Sequence, residues 1–218
     1  TFGAFGGQVD VNISSSDNAA FRVNAMYENL DNHRDFYNGE RIGFNPTARF
    51  MAGPDTVIDL SYEYVDHQRF IDRGIPTGSD GRPVEAFQDI VFGDPELNTT
   101  ELEAHLLRAN LQHDFSDHLK INVTAAYGDY DKLYQNFYAS SYDEANTPGQ
   151  VTLDGYVDTT QRQNLTLAGN LIGDFATGSI NHTVIFGGEY INTSSDQNRF
   201  NSFWSTTNDD NEVFSVMR

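Results

Sequence analysis

The sequence predicts an all-β protein, an antiparallel transmembrane β-barrel, from three observations. Apolar and polar residues alternate with a period of two, the alternating segments are long, and short turns alternate with longer loops along the chain. Strands of globular proteins cluster near roughly 5 to 6 residues, whereas about 9 to 11 tilted residues cross a bilayer. Long alternating strands therefore favour a sheet with one lipid-facing side and one polar side that lines a wet interior.

The clearest alternation forms a hairpin over residues 101–131. The residues of its apolar face are Leu107, Ala109, Leu111, His113 and Phe115 before the turn Ser116-Asp117-His118, and Leu119, Ile121, Val123, Ala125 and Tyr127 after it. The opposite face carries Arg108, Asn110, Gln112, Lys120, Asn122 and Thr124. The apolar face has an aromatic residue at each extremity, as expected for lipid contact between two interfacial girdles.

The same pattern predicts about eight strands in all. The alternating segments are residues 5–14, 21–28, 41–50, 58–64, 101–115, 119–131, 165–175 and 180–190. Short turns begin at Ser15, Ala52, Ser116 and Ala176. Pro46 interrupts the third segment, and since proline cannot donate a ladder hydrogen bond, we expect a bulge or a local break there.

The remaining residues are predicted to be loops. A moderate loop covers residues 31–40, a large loop runs from about Arg69 to Thr100, and a second long loop runs from about Lys132 to Gly155. Residues 193–218 show no clear strand. The large loop contains Gly and Pro turn residues interspersed with Ile, Val and Phe, so we expect it to fold on itself.

The turns and the aromatic residues predict one orientation in the membrane. Bacterial barrels have short periplasmic turns and longer extracellular loops, which puts the four turns in the periplasm. Phe residues lie near these turns and Tyr residues near the loops, where a phenol hydroxyl can meet lipid headgroups. Both chain ends are then expected to be extracellular, with at least one strand missing on each side, so we predict a fragment of a barrel.

The composition argues against several classes of function. With 32 acidic and 13 basic residues and a net charge of −19, a nucleic-acid partner is not expected, because phosphate binding needs clustered Lys and Arg. Cysteine is absent, and no two histidines have the spacing of a metal site with a suitable carboxylate. The sequence has no nucleophile motif or phosphate loop, so we predict no metal site, no cofactor and no enzymatic activity.

Several short stretches resemble a known family when their order and spacing are taken together. They are Asp10-Val11-Asn12, Phe21-Arg22-Val23, Tyr27-Glu28, Arg34-Asp35, Tyr62-Glu63-Tyr64, Asp72-Arg73-Gly74-Ile75-Pro76, Phe92-Gly93-Asp94-Pro95, and His182 with Gly187-Gly188-Glu189-Tyr190. In these residues the chain resembles TonB-dependent siderophore receptors of the ferrichrome and ferripyoverdine type, over nearly its whole length. The Asp72 to Pro76 stretch is the most specific of the set.

The resemblance implies a 22-strand barrel in the Gram-negative outer membrane, with an N-terminal plug that carries a TonB box. Residues 1–218 would then be the N-terminal part of the barrel domain, without the plug and the remaining strands. The implied function is uptake of a ferric siderophore with energy delivered through TonB, with the siderophore, TonB and outer-membrane lipid as partners. Relatives of this kind also take vitamin B12, haem or carbohydrate.

Two alternatives stay open at the level of the sequence. A passive porin or structural outer-membrane barrel would share the same alternation of residues. A soluble β-sandwich would need a second sheet to cover the apolar face.

The resemblance and the long loops together nominate a set of residues for ligand capture. They are Arg69, Phe70, Arg73, Arg82, Tyr134, Tyr138, Tyr142, Phe203 and Trp204. Flat rings and fixed hydrogen-bond donors suit catecholate, hydroxamate or aromatic chelates, although aromatic loop residues can equally pack together.

Five arginines are predicted to face the interior, namely Arg22, Arg41, Arg49, Arg108 and Arg162. We expect ion pairs with Asp59, Glu63 or Asp114, and the alternative is contact with a plug or with an anionic chelate.

Overall fold

The computed structural model describes residues 2–216. The strands in this range form one antiparallel sheet. Its strands are β1 (Phe5–Ser16), β2 (Ala19–Asp31), β3 (Asn38–Met51), β4 (Thr56–Phe70), β5 (Thr99–Ser116), β6 (Leu119–Tyr142), β7 (Gln150–Thr177), β8 (Ile180–Asn201) and β9 (Asn211–Ser215). The first eight strands pair in chain order, and β9 pairs with β7. Within this part of the chain no second sheet covers the first, so the sandwich alternative is not supported.

One short 3₁₀ helix, Glu85–Phe87, lies between β4 and β5. No helix among residues 2–216 is long and apolar enough to cross a membrane.

The register of the central hairpin confirms the two predicted faces. Leu107 pairs with Tyr127 and Leu111 pairs with Val123, whereas Asn110 pairs with Thr124 between them. We call the face of Leu111 and Val123 the outer side and the face of Asn110 and Thr124 the inner side. Leu107, Phe186 and Val184 on the outer side are 54%, 78% and 50% exposed, and a large apolar face left bare in this way is what lipid contact requires.

The four predicted turns are all present, and aromatic residues lie at both ends of the strands. Phe21 and Phe50 pack edge to face beside the turns, with ring centroids 5.6 Å apart. At the opposite ends of the strands, Phe5 and Tyr27 lie 6.0 Å apart. The apolar band of the outer side therefore ends in aromatic rings on both edges, as a membrane barrel requires.

Pro46 produces the predicted local break in the ladder and no bulge. The pairs Phe44 with Tyr64 and Thr47 with Ser61 keep one register, while the residues between them are not paired. That register puts Pro46 opposite Tyr62. The Asn45 side-chain amide donates to the Tyr62 carbonyl oxygen at 2.8 Å, which satisfies an acceptor that proline leaves without a ladder donor.

Three of the predicted loops are wrong in their bounds. Residues 132–155 are not a long loop, because β6 continues to Tyr142 and β7 begins at Gln150, leaving a turn of residues 143–149. Residues 193–216 include the end of β8 and the whole of β9, while residues 217 and 218 lie outside the described residues. The loop predicted for residues 31–40 shrinks to residues 32–37. The physical reason is common to all three: strands that rise out of lipid keep their ladder hydrogen bonds, but neither face needs to be apolar.

The large loop runs over residues 71–98 and folds on itself, as predicted. Phe87 and Phe92 are buried and meet edge to face at 5.9 Å, against Val151 of β7. Asn98, which is 1% exposed, fixes the loop to the sheet through its side chain. Its amide nitrogen donates to the carbonyl oxygens of Ile71 (3.0 Å) and Phe137 (2.9 Å), and its amide oxygen accepts the Phe137 N–H.

Candidate functional site

A row of polar side chains crosses the inner side of the sheet beyond the aromatic belt. The register pairs Arg69 of β4 with Thr100 of β5, Thr100 with Tyr134 of β6, Tyr134 with Asp158 of β7, and Asp158 with Arg199 of β8. Tyr134 and Thr124 are separated by an even number of residues along β6, so alternation puts this row on the inner side. The extension of β6 to β8 above the membrane thus carries polar side chains on the inner side.

Arg73 of the large loop enters this surface from above. Its guanidinium lies over the Tyr138 ring, 4.1 Å from the centroid, and 5.7 Å from the centroid of Tyr156. It donates to the Asn136 amide oxygen at 3.2 Å and to the Tyr156 hydroxyl at 3.3 Å. Asn136 is 1% exposed, and its amide nitrogen donates to the Tyr156 carbonyl oxygen, so the acceptor that holds Arg73 is itself fixed.

Arg199 approaches Tyr156 from β8. Its guanidinium lies 4.3 Å from the ring centroid and forms a two-pronged ion pair with Asp158, at 2.6 and 2.5 Å. The two hydrogen bonds from Arg199 hold the pKa of Asp158 below its usual range, and Asp158 in turn raises the pKa of Arg199. Both groups are therefore charged at neutral pH, and the guanidinium keeps a fixed orientation on the ring.

The tyrosines complete an aromatic surface. Tyr134 stacks on Tyr156 at 6.0 Å, and Tyr138 meets Tyr156 edge to face at 6.1 Å. Burial raises the pKa of both the Tyr134 and the Tyr138 phenols, and the Asp154 carboxylate raises the pKa of Tyr138 further. The phenols remain protonated donors at neutral pH. We call Arg73, Tyr134, Tyr138, Tyr156 and Arg199 the aromatic–arginine cluster.

A groove with a cavity volume of about 500 Å³ lies beside the aromatic–arginine cluster. Its lining includes Lys132, Tyr134, Tyr156, Asp158 and Arg199. Both cationic and aromatic groups therefore meet solvent along one inward-facing surface.

The two sides of the extended strand ends carry opposite charge. On the outer side of β4 to β8 beyond the aromatic belt, every charged residue is a carboxylate. These residues are Asp66, Glu101, Glu103, Asp129, Asp131 and Asp196. The inner side bears Arg69, Lys132, Arg162 and Arg199, joined by Arg73 from the loop, with Asp154 and Asp158 as its acidic residues. A chain of strongly negative net charge thus gathers basic groups on one surface, and such a field directs anions to the inner side.

The structure brings four of the predicted site residues together. Arg69 and Tyr134 share the cross-strand row, and Arg73 and Tyr138 are in direct contact. Arg82 lies at the tip of the large loop, where its backbone N–H donates to Asp80, apart from the others.

The remaining predicted residues lie elsewhere. Trp204 packs against Phe137, at 5.4 Å between centroids, and alternation places Phe137 on the outer side. Phe70 is buried, at 3% exposure, and Tyr142 packs edge to face on Phe87 of the large loop at 5.0 Å. Phe203 is 69% exposed and stands apart from the aromatic–arginine cluster.

The sequence prediction missed Tyr156, Asp158 and Arg199. Tyr156 and Asp158 lie between the predicted loop, which ends at about Gly155, and the predicted strand that begins at residue 165, and Arg199 lies in residues 193–218, which show no clear strand; the apolar signal fades in both stretches. Continuing the alternation of β7 backward from Leu165 would have placed Tyr156 and Asp158 on the inner side.

Three of the five interior arginines form ion pairs. Arg49 contacts Asp59 at 2.6 Å as predicted. Arg22 pairs with Asp10 and Arg41 with Glu28 instead of the predicted Glu63 and Asp114. Both acidic partners lie on the strand next to the arginine, where the distance to an inward-facing carboxylate is shortest.

The other two interior arginines, Arg108 and Arg162, have no ion pair among residues 2–216. Together with Lys132 they continue the basic inner side downward from the aromatic–arginine cluster toward the membrane.

Long antiparallel strands, an apolar outer side between aromatic edges and a polar inner side define a segment of an outer-membrane β-barrel. No family model matches the sequence. The metal-pseudopaline receptor CntO of Pseudomonas aeruginosa is 26% identical over 188 residues, which are 81% of this chain and 25% of that protein. The probable TonB-dependent siderophore receptor PiuA of Acinetobacter baumannii is 26% identical over 170 residues, 74% of this chain and 23% of that protein.

A solved structure of an outer-membrane receptor has the same fold as this chain. The pyoverdine outer-membrane receptor FpvA of P. aeruginosa superposes with a TM-score of 0.81 at 16% identity, over 97% of this chain and 31% of that chain. The chain is thus similar to TonB-dependent siderophore receptors and has the fold of a segment of their outer-membrane barrel, which confirms the resemblance found in the sequence. It spans about a quarter of the length of the curated relatives that it matches.

Proposed function

We propose that the chain is part of an outer-membrane receptor that takes up a ferric siderophore with energy delivered through TonB. In this proposal residues 1–218 supply the N-terminal part of the barrel domain. A plug with a TonB box and the remaining strands of a 22-strand barrel belong to other parts of the protein. The receptors named above support the class of ligand, and the proposal assigns the chain binding and transport without catalysis.

The aromatic–arginine cluster is the observation that carries the proposal. Two guanidinium groups, those of Arg73 and Arg199, flank the ring of Tyr156, and protonated phenols surround them. A ferric catecholate or hydroxamate complex offers flat rings or planar chelate groups with anionic oxygens. Guanidinium groups donate to such oxygens in a fixed fork, and the tyrosine rings supply flat contact area at low entropic cost.

The charge of the inner side supports passage as well as capture. Below the cluster, Lys132, Arg162 and Arg108 present successive basic groups on the inner side of the strands. Lys132, Arg162 and Arg108 all lack an ion pair among the described residues, so they are available to a plug or to an anionic chelate. An anion held at the cluster therefore meets cationic groups along the direction of transport.

Binding by the full-length receptor tests the proposal. We expect Arg73→Ala and Arg199→Ala each to weaken binding of a ferric tris-catecholate or a ferric hydroxamate roughly 10- to 100-fold, since a charge-assisted hydrogen bond contributes roughly 1.5 to 3 kcal/mol. Arg49→Ala is the matched control, because Arg49 is also an inward arginine paired with an aspartate but lies far from the cluster. Dissociation constants from quenching of intrinsic fluorescence give the comparison.

The outcomes separate the proposal from its alternatives. Equal affinity in all three variants would contradict capture by the cluster. A protein that binds neither chelate and admits small solutes without TonB is the passive porin. Tight binding of vitamin B12, haem or a carbohydrate in place of the ferric chelates would keep the receptor and change its ligand.

A further inference from the structure

Arg34, in the connection between β2 and β3, clasps the base of the large loop. Its Nε donates to Asp72 Oδ2 at 2.5 Å, its Nη2 donates to the Ile90 carbonyl oxygen at 2.9 Å, and its Nη1 donates to the Gln88 carbonyl oxygen. The side chains of Arg34 and Asp72 are 19% and 12% exposed. This is the least exposed ion pair among residues 2–216, and removing one partner leaves the other charge poorly solvated.

The clasp joins two stretches that are far apart in the sequence. Arg34 and Asp72 both belong to the short motifs that carry the family resemblance, and the structure brings them into direct contact. Gln88 and Ile90 flank the buried end of the loop, where Phe87 packs against Val151 of β7. Through Arg34 the β2–β3 connection is therefore tied to a loop that reaches across to β6 and β7.

Asp72 passes this constraint to Arg73. Its second carboxylate oxygen accepts the Gly74 N–H at 2.8 Å, so the residue immediately before Arg73 is held at both oxygens. Gly74 has a φ of 81°, a left-handed conformation that glycine adopts without steric cost. Arg73 thus stands between two fixed neighbours, and its guanidinium is directed onto Tyr138 and Asn136.

We propose that Arg34 is a positioning residue for ligand capture: it sets the affinity for the ferric chelate through Asp72 and Arg73 and does not itself touch the chelate. The three hydrogen bonds that its side chain donates go to Asp72, Gln88 and Ile90, which lie in the large loop and outside the aromatic–arginine cluster. The inference rests on the proposed function, because it takes Arg73 as a ligand contact.

A double-mutant cycle in the full-length receptor tests this role. Arg34→Ala, Arg73→Ala and the double variant are compared for binding of a ferric tris-catecholate and a ferric hydroxamate, with thermal unfolding as the measure of folding. We expect Arg34→Ala to weaken binding about ten-fold. The double variant should bind no more weakly than Arg73→Ala alone, because a residue that acts only through Arg73 has nothing left to position.

Two further variants and one control distinguish a positioning role of Arg34 from a loss of folding. Arg34→Lys keeps the charge but cannot bond Asp72, Gln88 and Ile90 together, so its affinity should fall between those of the unmodified receptor and Arg34→Ala. Asp72→Asn should reproduce the loss seen for Arg34→Ala. Arg22→Ala removes an arginine from another Arg–Asp pair of the inner side, one that is about half exposed and lies away from the loop, and should leave affinity unchanged.

Each result supports or overturns the inference. Unchanged affinity in Arg34→Ala, or losses that multiply in the double variant, would show that Arg34 does not act through Arg73. Those results leave the proposed function standing if Arg73→Ala alone weakens binding. If Arg73→Ala binds normally, Arg73 is not a ligand contact and the role of Arg34 fails with it, whether or not Arg199→Ala weakens binding. If the unmodified receptor binds neither chelate, the proposed function fails as well.

Discussion

Adjacent residues of β6 offer a direct comparison of the two sides of the sheet. Val123 faces outward and pairs with Leu111, while Thr124 faces inward and pairs with Asn110. The strand covers ~27 Å from Leu119 to Tyr127 at about 3.4 Å per residue, which at a tilt of roughly 40° is about 20 Å of membrane depth. Val123 is midway along this stretch, so an arginine there reaches the middle of the apolar band.

The expected costs differ in size and in cause. Val123→Arg should lower the free energy of unfolding by roughly 2 to 4 kcal/mol, the cost of a lipid-facing arginine near the midplane. Thr124→Arg should cost less than about 1 kcal/mol, since its side chain enters the wet interior and its nearest like charge is Arg108, diagonally across the ladder. The two substitutions stand at adjacent positions of the same strand, so each serves as the control for the other.

Urea titration of the full-length receptor in lipid vesicles, under conditions where unfolding is reversible, measures both free energies. Equal costs at the two positions would refute the assignment of an outer and an inner side. A larger cost for Thr124→Arg would mean that the register is reversed, because a slip of one residue exchanges the two faces.

Two other predictions follow from the turns and from the large loop. A cysteine at Asp55, in the turn between β3 and β4, should resist a membrane-impermeant maleimide on intact cells, whereas one at Ser79 in the large loop should react; the opposite labelling would invert the orientation. Gly93→Ala should loosen the large loop, because a Cβ there would lie 2.2 Å from the buried Asn98 amide nitrogen, and strain of this kind costs on the order of 1 to 3 kcal/mol. Faster hydrogen exchange in the loop would show it, with Gly81→Ala as the control that has a positive φ but open space; similar exchange in both variants would rule out the clash with Asn98.

The part of the sheet that lies within lipid could be predicted from the sequence. There the outer side must be apolar and the inner side polar, so each strand carries its register in its residues, as Leu111 and Val123 against Asn110 and Thr124 show. The four turns follow for the same reason, because the alternation stops where the chain reverses. Even the defect at Pro46 was visible, although the Asn45 side chain that repairs it was not.

The strand ends above the membrane could not be predicted in the same way. Both sides meet water there, so residues such as Lys132, Asp158 and Arg199 carry no apolar alternation, and the strands persist through ladder hydrogen bonds that have no sequence signature. The aromatic–arginine cluster is built on these extensions. Arg73 and Tyr138 were predicted because they are a basic and an aromatic residue of the predicted long loops, while Tyr156 and Arg199 required the fold.

Contacts between distant loops were beyond the reach of the sequence for a different reason. The Arg34–Asp72 pair joins residues from two connections, and no local pattern indicates which carboxylate an arginine will reach. The resemblance to a family marked both residues, but only the structure shows that they form one clasp.

Uptake of iron by cells tests the central claim most directly. An iron-starved host that expresses the full-length receptor should accumulate ⁵⁵Fe supplied as a ferric tris-catecholate or a ferric hydroxamate. The same host should lose this uptake when TonB is deleted, and uptake at low chelate concentration should fall in the Arg73→Ala variant. Accumulation that persists without TonB, or that is absent with both chelates, would contradict the assignment of this barrel segment to a siderophore receptor.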